Sequence, residues 1–158
     1  MESAAPTFTK INMPTSDITR EIVNRYFERV ASGAEPEAIA ALFSEKIDWD
    51  IAGDVAHVPW IGKRKGRAGV AGFFRDLRQW IEPVRFEVRS TVVHDEEAVA
   101  LGELVSRVKS TGRTIESAFA ISFTIRDALI VRYRLLEDSF AVAQAVGGAH
   151  KGTRIPTS

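Results

Sequence analysis

A chain of 158 residues is large enough to fold as one domain with a core of its own. Basic and acidic residues balance at 21 each, so no global field recruits nucleic acid or an anionic membrane, and no apolar run is long enough to cross a bilayer. Cysteine is absent, which excludes disulfides, thiolate nucleophiles and cysteine-bound metals; the opening residues also lack the basic head and apolar core of a secretory leader, so a reduced cytoplasm is the expected compartment.

Residues 1–15 mix Pro6 and Pro14 with Ser and Thr without periodicity and are expected to form a flexible arm, followed by a single domain over 16–147 and a flexible tail over 148–158. Ser16 or Asp17 is expected to cap a first helix whose inward stripe is Ile18, Ile22, Tyr26, Phe27 and Val30, with Gly33 beyond its end. Pro36 suits the first position of a second, short helix, because the amide it lacks would be unpaired there anyway. Ile47, Trp49 and Ile51 alternate with Asp48 and Asp50 as a short strand. From Val58 the chain reads as an irregular loop, broken by Pro59, Gly62 and Gly66, with Lys63, Arg64, Lys65 and Arg67 as solvated charge; it lacks the Gly-Lys-Ser/Thr ending of a phosphate loop. Val70, Phe73, Phe74, Leu77, Trp80 and Ile81 then recur at helical spacing.

Four strands are predicted after this helix, over 85–94, 98–109, 114–126 and 129–137, and their short turns require antiparallel pairing. Asp138 or Ser139 caps a closing helix through Val146. Helices first and strands last predict an α+β fold, a curved antiparallel sheet around a pocket roofed by three N-terminal helices, with a short C-terminal helix. Alternation divides the long strands into two faces. Ala98, Ala100, Gly102, Leu104 and Ser106 are grouped with Glu116, Ala118, Ala120 and Ser122 as a small-residue face, opposite a bulky face holding Ile115, Phe119, Ile121 and Phe123. The expectation is a small-residue concave face that leaves pocket space and a bulky convex face that buries a partner sheet.

The element order, the W-x-G-x-x-x-G-R segment from Trp60 to Arg67, the Phe73–Phe74 helix and the ending R-Y-R-L-L-E-D from Arg132 to Asp138 resemble the nuclear transport factor 2-like superfamily. More narrowly, residues 16–146 are similar to SnoaL-like and ketosteroid-isomerase-related small proteins. The resemblance implies a cone-shaped sheet around an apolar cavity, a small hydrophobic ligand such as a polyketide-, steroid- or terpenoid-like molecule, and a homodimer formed through the convex sheet face. It implies no function by itself, because the scaffold hosts several chemistries.

By the same resemblance, Tyr26 takes the isomerase oxyanion-donor position, while the base and second-acid positions fall on Ile51 and Ala120, neither of which can move a proton. The epoxide-hydrolase positions fall on Leu104, Ser106 and Leu135, so that set is also missing. Trp49, Trp60, Phe74 and Tyr133 are expected as cavity wall, against the plainer reading of ordinary core. Glu137 shares a strand face with Tyr133 and Leu135 and is a candidate proton shuttle; the competing reading leaves it wet, or paired with Arg134. Glu116 is a second candidate carboxylate, with simple exposure as its alternative. His57, at the expected cavity mouth, is a candidate acid–base group or an ordinary exposed histidine. No cofactor or metal is expected. Two functions stay open: acid–base transformation of a hydrophobic ligand, and a non-catalytic binding or dimeric interaction module.

Overall fold

The computed structural model describes residues 13–147. The expected arm and tail lie outside the described residues, apart from 13–15, and Thr15 already belongs to the first helix, α1 (Thr15–Ala31). Neither Ser16 nor Asp17 caps it. Pro14 holds that position without a side-chain hydrogen bond. Ser16 instead accepts from the Asp95 amide at 3.0 Å, and Thr19 donates to the Asp95 carbonyl at 2.6 Å, tying the helix start to a turn between distant strands. Ile22, Val23 and Tyr26 form its buried stripe.

Pro36 opens α2 (Pro36–Ala40) as expected, and β1 (Phe43–Ile51) follows almost at once. The segment read as loop contains a three-residue strand, β2 (Gly62–Arg64), antiparallel to β1. So short a strand leaves no alternation to detect. Nor is Arg64 merely solvated: its guanidinium donates to Asp76 at 2.7 Å and to the Trp60 carbonyl at 3.3 Å, and stands 5.8 Å from the Phe73 ring centroid. Added Cβ atoms at Gly69 and Gly72 would lie 3.2 and 3.1 Å from Arg64 atoms, so these two glycines of α3 (Gly66–Trp80) make room for it.

The chain passes from α3 into β3 (Ile81–His94) without a loop, four residues before the expected start. Pro83 is tolerated there because β3 is an edge strand with a register shift between Pro83 and Arg85. Then come β4 (Glu97–Val108), β5 (Thr114–Arg126), β6 (Leu129–Leu136) and α4 (Ser139–Val146). Asp138 caps α4 by accepting from the Ala141 amide at 3.0 Å.

The six strands form one open sheet in the order β2-β1-β6-β5-β4-β3. It is antiparallel except where β1 runs parallel to β6. The short-turn argument never applied to that pair, since α3 and four strands intervene between its members.

The two-face expectation is corrected by the register. Ala98 lies opposite Phe123, Ala100 opposite Ile121, Gly102 opposite Phe119 and Ser106 opposite Ile115. Small residues of β4 and bulky residues of β5 therefore share the inner face, where one set makes room for the other. A Cβ on Gly102 would lie 2.5 Å from the Phe119 ring and 2.0 Å from the Glu87 carbonyl oxygen. The outer face carries Val99 and Leu101 of β4 with Ala118, Ala120 and Ser122 of β5. Arg132 and Arg134 point outward as expected, but they meet Asp48, at 3.9 and 2.7 Å, rather than Glu103.

Candidate functional site

Helices α1 and α3 stand off the inner sheet face and leave a cavity of about 560 Å³, a volume suited to a compact organic molecule. Its surface is mainly apolar. Phe27 and Val30 come from α1, Phe74 and Leu77 from α3, Trp60 from the loop before β2, and Ile115 and Ile121 from β5, with Val142 of α4 closing one side. The sheet leaves space here because β4 contributes Leu104 and Ser106, where larger side chains would fill the gap.

Tyr26 and Tyr133 meet at the wall, hydroxyl to hydroxyl at 2.8 Å. One O–H is spent on that bond, which leaves a second with no partner among the described residues. Burial pushes both phenols well above their usual range, so they stay neutral donors across ordinary pH.

Glu137, the residue that follows β6, is the carboxylate on this wall. Burial pushes its carboxyl up to about 7, and the neighbouring charge of Asp138 adds to the effect. Among the described residues no hydrogen bond holds its charged form, and the expected alternative partner, Arg134, is occupied by Asp48. A carboxyl that is half ionised near neutral pH can accept or donate a proton with little thermodynamic cost.

Among the expected site residues, Tyr26, Trp60, Phe74, Leu104, Ser106, Tyr133, Leu135 and Glu137 border this cavity. The others lie elsewhere. Trp49 stacks on the far side of Tyr133, at 4.1 Å and 7°, and packs on Phe73 at 4.9 Å, so it backs the wall without reaching it. Its indole nitrogen is buried without a hydrogen-bond partner among the described residues. Ile51, fully buried, pairs with Gly62 on the other side of the sheet order. Ala120 and Glu116 fall on the outer face because the bulky set of β5 turns inward. His57 lies on the exposed loop after β1, where its Nδ1 is 2.8 Å from Asp54.

Arg78, Arg85 and Phe86 also border the cavity and were not singled out in the sequence. Arg78 lies four residues after Phe74 on the same helical stripe, and Phe86, stacked on Phe119 at 4.7 Å, alternates with Val88. Periodicity alone held both signals. Among the described residues, no group of three or more His, Asp or Glu side chains could hold a metal ion, and no helix is long and apolar enough to cross a membrane.

A curved sheet capped by helices, with an apolar chamber and one carboxyl set into its wall, defines a small ligand-cavity domain of the cone-shaped α+β type. The chain matches the SnoaL-like domain family over residues 23–133, and it belongs to that family. Among solved structures it is similar to an NTF2-like protein from Burkholderia xenovorans LB400, with 27% identity and a TM-score of 0.75 over 83% of this chain and 97% of that one. A Catenulispora acidiphila protein with a ketosteroid isomerase-like fold, in complex with trimethylamine, is 16% identical, with a TM-score of 0.66 over 84% of this chain and 97% of that one. TerC co-crystallised with polyporic acid is also 16% identical, with a TM-score of 0.69 over 82% and 98%. The last two show likeness of fold. A search of curated protein sequences finds no match.

Proposed function

We propose that the cavity binds a compact hydrophobic molecule and that Glu137 moves a proton on it. The observation that carries this reading is a carboxyl pushed up to about 7 on the wall of an otherwise apolar cavity of about 560 Å³. In the proposed step the Glu137 carboxylate takes a proton from a carbon next to a ligand carbonyl. The electron pair of the broken C–H bond becomes a carbon–carbon double bond while the carbonyl π pair moves onto oxygen, and the unshared O–H of the Tyr26–Tyr133 pair donates a hydrogen bond to the oxygen that gains charge. Glu137 then returns the proton to carbon or oxygen. Similarity of fold to TerC, co-crystallised with polyporic acid, supports a small organic occupant.

The test is solvent-deuterium exchange into a panel of enolisable cyclic ketones, followed by NMR. Exchange is expected to rise with pH through about 7, as the carboxylate form becomes populated, and to fall at least a hundredfold in Glu137→Gln while binding persists. Tight binding with no exchange in any member would instead support a purely binding module. One observation favours that second reading: the isomerase base and acid positions are Ile51 and Ala120, and neither reaches the cavity.

The same proposal includes a homodimer through the outer sheet face. Val92, Val99, Leu101 and Leu136 are exposed there, an apolar set more readily explained by a partner than by water. Leu101→Glu is expected to convert a sedimenting dimer to monomer; a wild type that sediments as monomer at micromolar concentration would remove this part.

A further inference from the structure

The proposed proton transfer uses Glu137 and the tyrosine pair and leaves a polar group on another part of the wall unspent. Ser106 borders the cavity from the inner face of β4, between Pro83 of β3 and Ile115 of β5. It is half-buried, and its hydroxyl has no hydrogen-bond partner among the described residues. Pro83 has no N–H to offer it, and Ile115 is apolar. The polar groups nearest in the fold are engaged elsewhere. Arg78 donates to the Ala34 carbonyl oxygen at 2.6 Å, and Arg85 lies against Glu103 at 3.8 Å on the outer face. The Ser117 hydroxyl donates to the Ala118 carbonyl oxygen at 2.6 Å and accepts from the Asp138 amide at 2.9 Å.

A wall that needed only small side chains would be served by alanine here. Serine adds a hydroxyl that must be hydrated or paired, and a wholly apolar occupant would strip its water without replacing it. That loss weakens binding about tenfold, whereas a ligand oxygen placed there restores the hydrogen bond. The register sets where this oxygen falls. Leu136 pairs with Ala120, so Glu137 continues abreast of Phe119, and Phe119 pairs with Gly102, four residues before Ser106 on β4. Four residues span about 13 Å of strand, and β4 and β6 flank β5 on opposite sides. Side chains projecting from one concave face bring the Glu137 and Ser106 oxygens to on the order of 12 Å apart. Hydrogen-bond contacts at the two ends take up about 6 Å of this, leaving the length of a fused pair of six-membered rings.

We propose that Ser106 is a second recognition point of the chamber: the ligand is a rigid fused-ring ketone with a hydroxyl or carbonyl oxygen at its far end, which exchanges a hydrogen bond with Ser106. This rests on the reading above, that the chamber takes a hydrophobic molecule whose carbonyl lies by Glu137 and the tyrosine pair.

The test measures displacement of phenylnaphthylamine, an uncharged fluorescent probe, by three ketones: β-tetralone, its derivative hydroxylated at the ring position farthest from the ketone, and the isomer hydroxylated beside the ring fusion. Each is titrated into the full-length wild type, Ser106→Ala, Arg78→Gln and Leu104→Trp, which fills the chamber. In the wild type the far hydroxyl is expected to tighten binding about three- to tenfold over β-tetralone, and the hydroxyl beside the fusion to give no gain. Ser106→Ala is expected to abolish that preference while changing β-tetralone binding less than about twofold, and Arg78→Gln to preserve it. In deuterium exchange, Ser106→Ala should raise KM for the far-hydroxyl ketone and leave kcat unchanged. A preference that survives Ser106→Ala or disappears in Arg78→Gln, equal gain from both hydroxyl positions, or no displacement of bound probe by any ketone would overturn the Ser106 assignment alone. Failure of the probe to bind, or probe binding indifferent to Leu104→Trp, would overturn the chamber reading and this inference with it. Circular dichroism of each variant confirms that lost binding is not lost fold.

Discussion

Around Tyr26 and Tyr133, ring pairs that also involve Phe43, Trp49 and Phe123 have centroids 4.1 to 6.1 Å apart, and the inner sheet face is solid. A few residues along the same strands, Leu104, Ser106, Leu135 and Glu137 face open space. Both regions lie on one continuous sheet under the same helices. The difference comes from side-chain size at matched register positions: aromatic residues meet there in the first region, whereas Leu104 faces Ser117 and Ser106 faces Ile115 in the second. One part of the sheet thus carries the stability and the adjoining part is free to hold a ligand. Tyr26 and Tyr133 belong to both, packed through their rings and open through their hydroxyls.

This contrast is open to direct attack. Phe123→Ala, in the solid region, is expected to cost about 3–5 kcal/mol in chemical denaturation, because its neighbours cannot close the gap. A cost below 1 kcal/mol would mean that the cluster is loosely packed. Glu137→Gln should act through pH. The folded carboxyl titrates near 7, above its usual value of 4.5, so burying its charged form works against folding. The contribution of this one group should therefore be most favourable below the usual value and worsen by about 3 kcal/mol as pH rises from there through 7, so that the difference in stability between wild type and the glutamine variant changes by that amount over this range. Parallel stability–pH curves for the two proteins would contradict the assignment.

Leu104→Ala, on the open wall, is expected to cost about 1–2 kcal/mol, well short of the Phe123 change, since its side chain already borders space. The smallest effect is expected from Trp49→Phe. It loses stacking area on Tyr133 but also removes a buried indole N–H that has no acceptor among the described residues, and the two contributions nearly offset, leaving a change within about 1 kcal/mol. A loss above 3 kcal/mol would mean that the N–H finds a partner, such as a buried water.

The order of elements was legible in the sequence because long periodic segments announce themselves: the stripe from Ile22 to Tyr26 and the alternation of β5 are both seen in the fold. The face of each strand was harder to read. Alternation separates residues into two sets but does not say which set of one strand joins which set of its neighbour, so β4 and β5 were matched by size when register pairs small with large. Glu137 was recognisable because it continues the inward parity of Tyr133 and Leu135 past the strand end. Glu116 failed by the same matching error that misplaced Ala120. Trp49 is expected as wall because the corresponding positions of the resembled family face inward, but only three dimensions reveal that Tyr133 stands in front of it.

The most direct measurement is the side-chain carboxyl carbon-13 shift of Glu137 followed by NMR against pH, alone and with phenylnaphthylamine bound. The account predicts a midpoint near 7 in the free protein, moving higher once an apolar occupant displaces water from the chamber. A midpoint near 4.5 in both states would contradict it, because a carboxyl that titrates as if in water does not share a wall with a hydrophobic ligand.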